Sequence, residues 1–201
     1  MKKILFIATI CFGLLTINAC KKSEPPAPPQ PTSLELNLKD ALGNPVSGAS
    51  VELYSSLIDW NNSTNQVGST QISSASGKVS FTNLQSINYY FHAEKGCTDN
   101  VNGATNTASP LTANIINVST IVLSSTGTLK FINTSSNPYR VYINGTIAFD
   151  MNGGTTASVD YKPIGLYTLR VLQLSGYLIS PTDRTYTGTL SCGATLQTTF
   201  P

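Results

Sequence analysis

Beyond residue 32 the chain alternates between apolar and polar positions with a period of two. Leu34, Leu36 and Leu38 are interleaved with Glu35, Asn37 and Lys39, and Val46, Ala49, Val51 and Leu53 continue the rhythm. Tyr89, Phe91 and Ala93 alternate with Tyr90, His92 and Glu94, and Ile115, Ile116, Val118, Ile121 and Leu123 supply a further strand over 114–123. Such alternation predicts half-buried strands. Later, Leu129 and Phe131 repeat it, Tyr139–Ile143 meets Thr146–Phe149 across Asn144-Gly145, and Tyr167, Leu169 and Val171 share a face. An Asn-Gly pair between β-rich segments is a strong hairpin signal. Two short Thr-rich strands over 185–200 flank Cys192-Gly193. Gly43, Gly77 and Gly153-Gly154 mark turns, and polar residues 55–70 predict a long loop carrying Trp60. No stretch after residue 20 keeps helical apolar spacing. The fold class expected is all-β: two small antiparallel β-sandwich domains in tandem, over 33–125 and 126–201.

The amino end follows a different pattern. Lys2 and Lys3 precede an apolar run of 14 residues, Ile4–Ile17, which ends at Asn18-Ala19-Cys20. A basic start, an apolar core of this length and small residues before a cut mark a secretory signal, and a membrane span needs about 20 apolar residues. With a cysteine directly after Ala19, this end resembles a bacterial lipoprotein signal, although Asn18 departs from the usual small or aliphatic residue. The resemblance implies cleavage after residue 19 and lipid attachment to Cys20, including a palmitate-type chain, so that the membrane is a partner through the anchor. Two or more acyl chains make such anchoring stable, at about 0.8 kcal/mol per buried methylene. Lys21-Lys22-Ser23-Glu24 lacks an aspartate after the cysteine, which resembles sorting to the outer membrane; the face is left open. Residues 20–32 then form a tether in which Pro25, Pro26, Pro28, Pro29 and Pro31 impose extended geometry, roughly 30 to 40 Å long at about 3.1 Å per residue.

Charge narrows the partners. Removal of Lys2 and Lys3 leaves ten basic and ten acidic side chains, and beyond the tether eight basic face nine acidic. No basic patch remains to neutralise phosphates, so nucleic acid is not an expected partner. Of the four cysteines, Cys11 falls in the signal and Cys20 is taken by lipid. Cys97 and Cys192 remain in a compartment where disulfides persist. A bridge between the halves and two separate buried thiols both satisfy the sequence.

Asp40, Gly43, Pro45-Val46, Gly48-Ala49, Val51 and Leu53 are followed by Ser76-Gly77-Lys78-Val79-Ser80-Phe81, Leu84 and Tyr90. Over roughly residues 34–96 this order resembles the carboxypeptidase regulatory-like domain, a small β-sandwich related in fold to transthyretin. The resemblance implies an accessory, folding or binding module and no peptidase activity. The order of Asn-Gly hairpin, Gly165-x-Tyr167-x-Leu169-x-Val171 and Gly176-Tyr177 is similar to PEGA-type β modules, without their Pro-Glu-Gly-Ala run.

Candidate chemistry is sparse. His92 is the single histidine, on the face with Tyr90 and Glu94, and no G-x-S-x-G elbow accompanies it. It reads as a sheet-surface residue in a polar row. Metal-site spacing is absent, the aspartates are scattered, and no cofactor is expected. Lys39, Glu94 and Asn114 or Asn117 resemble in placement the Lys–Asn cross-link of some adhesin sandwiches, against the simpler reading that Lys39 and Glu94 face solvent. Trp60, beside Asp59 and Asn61 in a polar loop, is the candidate ligand contact; such residues suit a glycan or peptide backbone, and the alternative is a lid over the sandwich. The expected function is a lipid-anchored, non-enzymatic binding or structural module of the cell envelope, with a glycan or another envelope protein as ligand. The alternatives are an accessory subunit of an outer-membrane surface assembly, docking through strand edges, and, remotely, a hydrolase.

Overall fold

The computed structural model describes residues 30–201. The signal, Cys20 and most of the tether lie outside the described residues. From Ser33 on, strands are nearly all of the regular secondary structure, as the alternation predicts.

The first half comprises β1 (Ser33–Lys39), β2 (Ser50–Tyr54), a short helix α1 (Leu57–Asn62), β3 (Gln71–Ile72), β4 (Lys78–Phe81), β5 (Tyr90–Lys95), β6 (Thr98–Asp99) and β7 (Ile116–Val122). One sheet has the order β4-β1-β7, and facing it is β3-β2-β5-β6. The second half comprises β8 (Ser124–Asn133), β9 (Tyr139–Ile143), β10 (Thr146–Met151), β11 (Thr156–Pro163), β12 (Gly165–Gln173), β13 (Asp183–Leu190) and β14 (Thr195–Phe200). Its sheets run β11-β8-β14 and β10-β9-β12-β13. Numbered within each half, the two strand orders are the same: fourth-first-seventh against third-second-fifth-sixth. The halves are one topology used twice, although their sequences show no obvious repeat.

The pairing is antiparallel as expected except for one pair in each half. β1 runs parallel to β7, from Ser33 opposite Ile116 to Lys39 opposite Val122, and β8 runs parallel to β14. In each half the last strand has crossed from the opposite sheet, so it returns alongside the first strand in the same direction; parallel neighbours need such a long crossover.

Two cores fill the sandwiches. Leu34, Leu36, Leu38, Val51, Leu53, Phe91 and Ile121 pack in the first, and Leu129, Phe131, Tyr139, Val141, Leu169, Val171 and Phe200 in the second. These are the inward positions of the alternation. The cores divide near residue 125, but the sheets do not. β8 pairs with β6 through Ser124 and Ser125 and then continues into the second half, joining one sheet of each sandwich. The junction between the halves is therefore a strand. It is pinned by Thr126, whose N–H donates to the Cys97 carbonyl at 2.9 Å and whose hydroxyl donates to the buried Asp99 carboxylate.

The loop expected over 55–70 contains α1, with none of its residues buried. Caps hold it in place of an apolar stripe: the Ser56 hydroxyl accepts from the Asp59 N–H at 3.1 Å, and Ser63 closes the far end in the left-handed region at φ 51°. At Asn144-Gly145 the expected hairpin is present, with φ of 50° and 82° suiting a tight turn that needs two positive values.

Candidate functional site

α1 lies across the outer face of β2 and β5, where it presents Trp60. The indole N–H donates to the Phe91 carbonyl at 3.1 Å, which fixes the ring half-buried against β5. Trp60 is therefore a lid on the sheet that keeps one side open. Asn61 and Ser63 border that open side, but Asp59 does not. Its carboxylate is occupied by the Ser56 hydroxyl at 2.6 Å and the Asn65 amide at 2.7 Å, and these bonds hold its pKa below the ordinary carboxylate value. Asp59 shapes the helix and contributes nothing to the cleft.

Opposite Trp60 stands a residue that the alternation does not point to. β11 breaks register between Val159 and Lys162, and at this bulge Tyr161 takes φ 54°. A bulky residue in the left-handed region is strained and persists only where its surroundings impose it. Here the Asn102 amide of the first half donates to the Tyr161 carbonyl at 2.6 Å. The Tyr161 ring packs edge-on against His92, with centroids 5.8 Å apart and planes at 89°. His92 is thus half-buried beneath a ring from the other half, in place of the solvent-facing polar row expected of it. Its Nε2 is shut off from solvent without a hydrogen-bond partner.

Trp60, Asn61, Ser63, His92, Val101 and Tyr161 line a cleft of about 230 Å³. Burial raises the Tyr161 pKa, and the carboxylates of Glu94, Asp99, Asp160 and Glu52 raise it further. The cleft is aromatic in its walls and negative in its field. On the other side of Tyr161, a second depression of about 310 Å³ is bordered by Cys97, Thr126, Asp160 and Gly193. There the Cys97 and Cys192 sulfurs are bonded, with Cα atoms 5.5 Å apart, joining the β5–β6 turn to the β13–β14 turn.

The remaining candidates are dispersed. No group of three or more His, Cys, Asp or Glu side chains is placed to hold a metal ion among the described residues. Since His92 Nε2 has no partner, it engages no serine or threonine hydroxyl. Lys39 and Glu94 belong to opposite sheets and are exposed, Asn114 is exposed in a turn, and the Asn117 amide is spent on the Ser33 and Thr112 carbonyls. At the inward positions of β1 stand Leu34, Leu36 and Leu38, and Lys39 lies at the far end of the β1–β7 ladder from Asn117, so the structure does not bring Lys39 to either asparagine for cross-linking.

Below the cleft, Tyr54 is 2% exposed and donates to the Glu52 carboxylate at 2.6 Å. Burial, helped by that ionised partner, pushes its pKa up to about 12. The folded state therefore holds this proton more tightly than the unfolded chain. The stabilisation is complete below about pH 10 and is lost as pH rises through about 12. In an alkaline titration followed by phenolate absorbance, Tyr54 is expected to ionise last and together with unfolding. Ionisation of all nine tyrosines in one step near pH 10 would contradict that burial.

No protein-family model and no curated protein matches the chain. Among solved structures it overlaps a streptococcal ancillary pilin at 17% identity, covering 85% of this chain and 62% of that one, with a TM-score of 0.39. It overlaps the Bacillus anthracis TIE protein at 14% identity over 85% and 34% of the two chains (TM-score 0.37). For GBS52, the minor pilin of Streptococcus agalactiae, the identity is 16% over 84% and 94%, with a TM-score of 0.33. The chain thus spans less than two thirds of the ancillary pilin and about a third of the TIE protein.

Proposed function

We propose that the chain is a lipid-anchored cell-envelope protein whose two sandwiches form a non-enzymatic binding module. The observation that carries the binding reading is the cleft between Trp60 and Tyr161. It is assembled from both halves, rests on a strained residue and exposes aromatic faces beside polar groups. Concave aromatic sites with a few polar groups are the usual form of a binding site. The resemblance of residues 34–96 to carboxypeptidase regulatory-like domains agrees with an accessory or binding role, and the ligand would be a glycan or another envelope protein. Anchoring rests on Ile17 to Cys20 in the sequence, and the signature after Cys20 favours the outer membrane.

Intact mass of the native protein extracted from its own membranes tests the anchor. The expected mass is that of residues 20–201 plus acyl groups, and Cys20→Ser is expected to leave the protein unacylated. A mass retaining residues 1–19 without lipid would refute the anchor. Glycan-array and crosslinking experiments with the full chain test the binding role, with Trp60→Ala as the variant expected to lose the signal.

A second reading, a subunit docking through a strand edge, is favoured by β7. This strand ends its sheet, and Ile116, Val118 and Val122 on its outer face are 50%, 59% and 42% exposed. An apolar, β-branched free edge is suited to strand addition. Val118→Lys is expected to abolish any crosslinked envelope partner if β7 is the docking edge; an undiminished partner would remove β7 from consideration.

A further inference from the structure

Resting on the binding reading above, we propose that the Trp60–Tyr161 cleft receives an alkylammonium group, presented as a lysine side chain of a partner protein. Three features of the site select this chemistry. The first is its walls. Trp60 and Tyr161 are its aromatic lining residues, with Tyr161 42% exposed, and Val101 adds an apolar surface along which a methylene stem can lie. Ring faces attract cations, and indole does so best.

The second feature is charge. No Asp, Glu, Lys or Arg side chain lines the cleft, and the carboxylates that act on the Tyr161 hydroxyl, Glu94, Asp99, Asp160 and Glu52, surround it from outside. A negative field over low-dielectric walls concentrates cations and repels carboxylates and phosphates. Neutral glycans gain nothing from it. The third feature is His92, whose Nε2 lies without a partner beneath the Tyr161 ring. With its proton on Nδ1, the neutral imidazole presents Nε2 as an acceptor, and an ammonium sliding under that ring supplies the missing donor.

The test uses the fluorescence of Trp60, the single tryptophan of the chain and a lining residue of this cleft, with the variants below locating any saturable change. The full mature chain is titrated with Nα-acetyl-lysine amide, with its Nε-acetylated form as an uncharged control of similar shape. Saturable binding of the ammonium form is expected, at least fivefold tighter than the acetylated form and weakening as salt is raised. Tyr161→Ala is expected to abolish it. Glu94→Gln, an exposed substitution that does not threaten folding, is expected to weaken it severalfold and serves alone if Tyr161→Ala does not fold. Equal binding of the two forms, or an ammonium response unchanged in Glu94→Gln, overturns the proposal. Oligomeric glucosamine, titrated in parallel, distinguishes an amino sugar from a lysine; its tighter binding overturns the lysine source. A response to neutral oligosaccharides alone overturns the ammonium assignment and leaves the binding reading standing, whereas no response to any probe overturns both.

Discussion

Replacing both Cys97 and Cys192 with serine is expected to cost about 4 kcal/mol of stability. The bond spans a sequence separation of 95 residues, and a cross-link closing a loop of that order restricts the unfolded chain by roughly 4 to 5 kcal/mol in the chain-entropy account. That restriction operates only while both halves unfold together, because the bridge joins the first half to the second. With the bridge intact, β8, Thr126 and the bond all hold the junction, and denaturant is expected to produce a single transition. Without the bridge, two separate cores remain, linked by two residue pairs between β6 and β8, the Thr126 hydrogen bonds to Cys97 and Asp99, and the contacts of Tyr161 with Asn102 and His92. Urea unfolding of the double variant, followed both by Trp60 fluorescence and by far-ultraviolet dichroism, is expected to show transitions that no longer coincide. Coincident transitions at an unchanged midpoint would show that the bridge contributes neither stability nor coupling.

The second large effect is expected from Phe131→Ala. Phe131 is fully buried at the centre of the second core and meets Phe149 edge-on, with ring centroids 5.5 Å apart. Truncating a buried phenylalanine removes its transfer free energy and leaves a cavity, at about 3 to 5 kcal/mol. In the bridged protein this loss lowers the whole transition. In the serine double variant it is expected to lower the transition of the second half alone and to leave Trp60 reporting an unaltered first half. Ordinary near-additivity for the two changes would show instead that the halves unfold as one unit without the bridge.

The strands most legible in the sequence are those whose inner row is long and apolar: Leu34-x-Leu36-x-Leu38, Tyr89-x-Phe91-x-Ala93 and Tyr167-x-Leu169-x-Val171 all fill cores as the alternation requires. The helix α1 is not legible by that rule, because it buries no residue and is held by Ser56 and Ser63. β11 is obscured by its own bulge: Ala157 and Val159 begin an alternation that Asp160-Tyr161 interrupts. The same interruption hides half of the cleft. Trp60 stands out in the sequence as a lone indole in a polar segment, but Tyr161 reaches His92 only through the junction of two halves far apart in the chain. A tyrosine between two charged residues where a strand loses its rhythm is the one local sign of it. The shared topology is a property of strand order, and side-chain pattern does not encode that directly.

The parallel pairing of β1 with β7 has a mechanical consequence. A pull on the start of β1 can be opposed by a load that enters the first half through β8, at the end of β7, before any reaches the Cys97–Cys192 bond. Because the two strands run the same way, these forces are opposed along the strand axes and act in shear. The ladder from Ser33–Ile116 to Lys39–Val122 is then stressed all at once, and its hydrogen bonds must break together instead of peeling one by one. Loaded through β1 and β8, this ladder resists extension better than one peeled from its end.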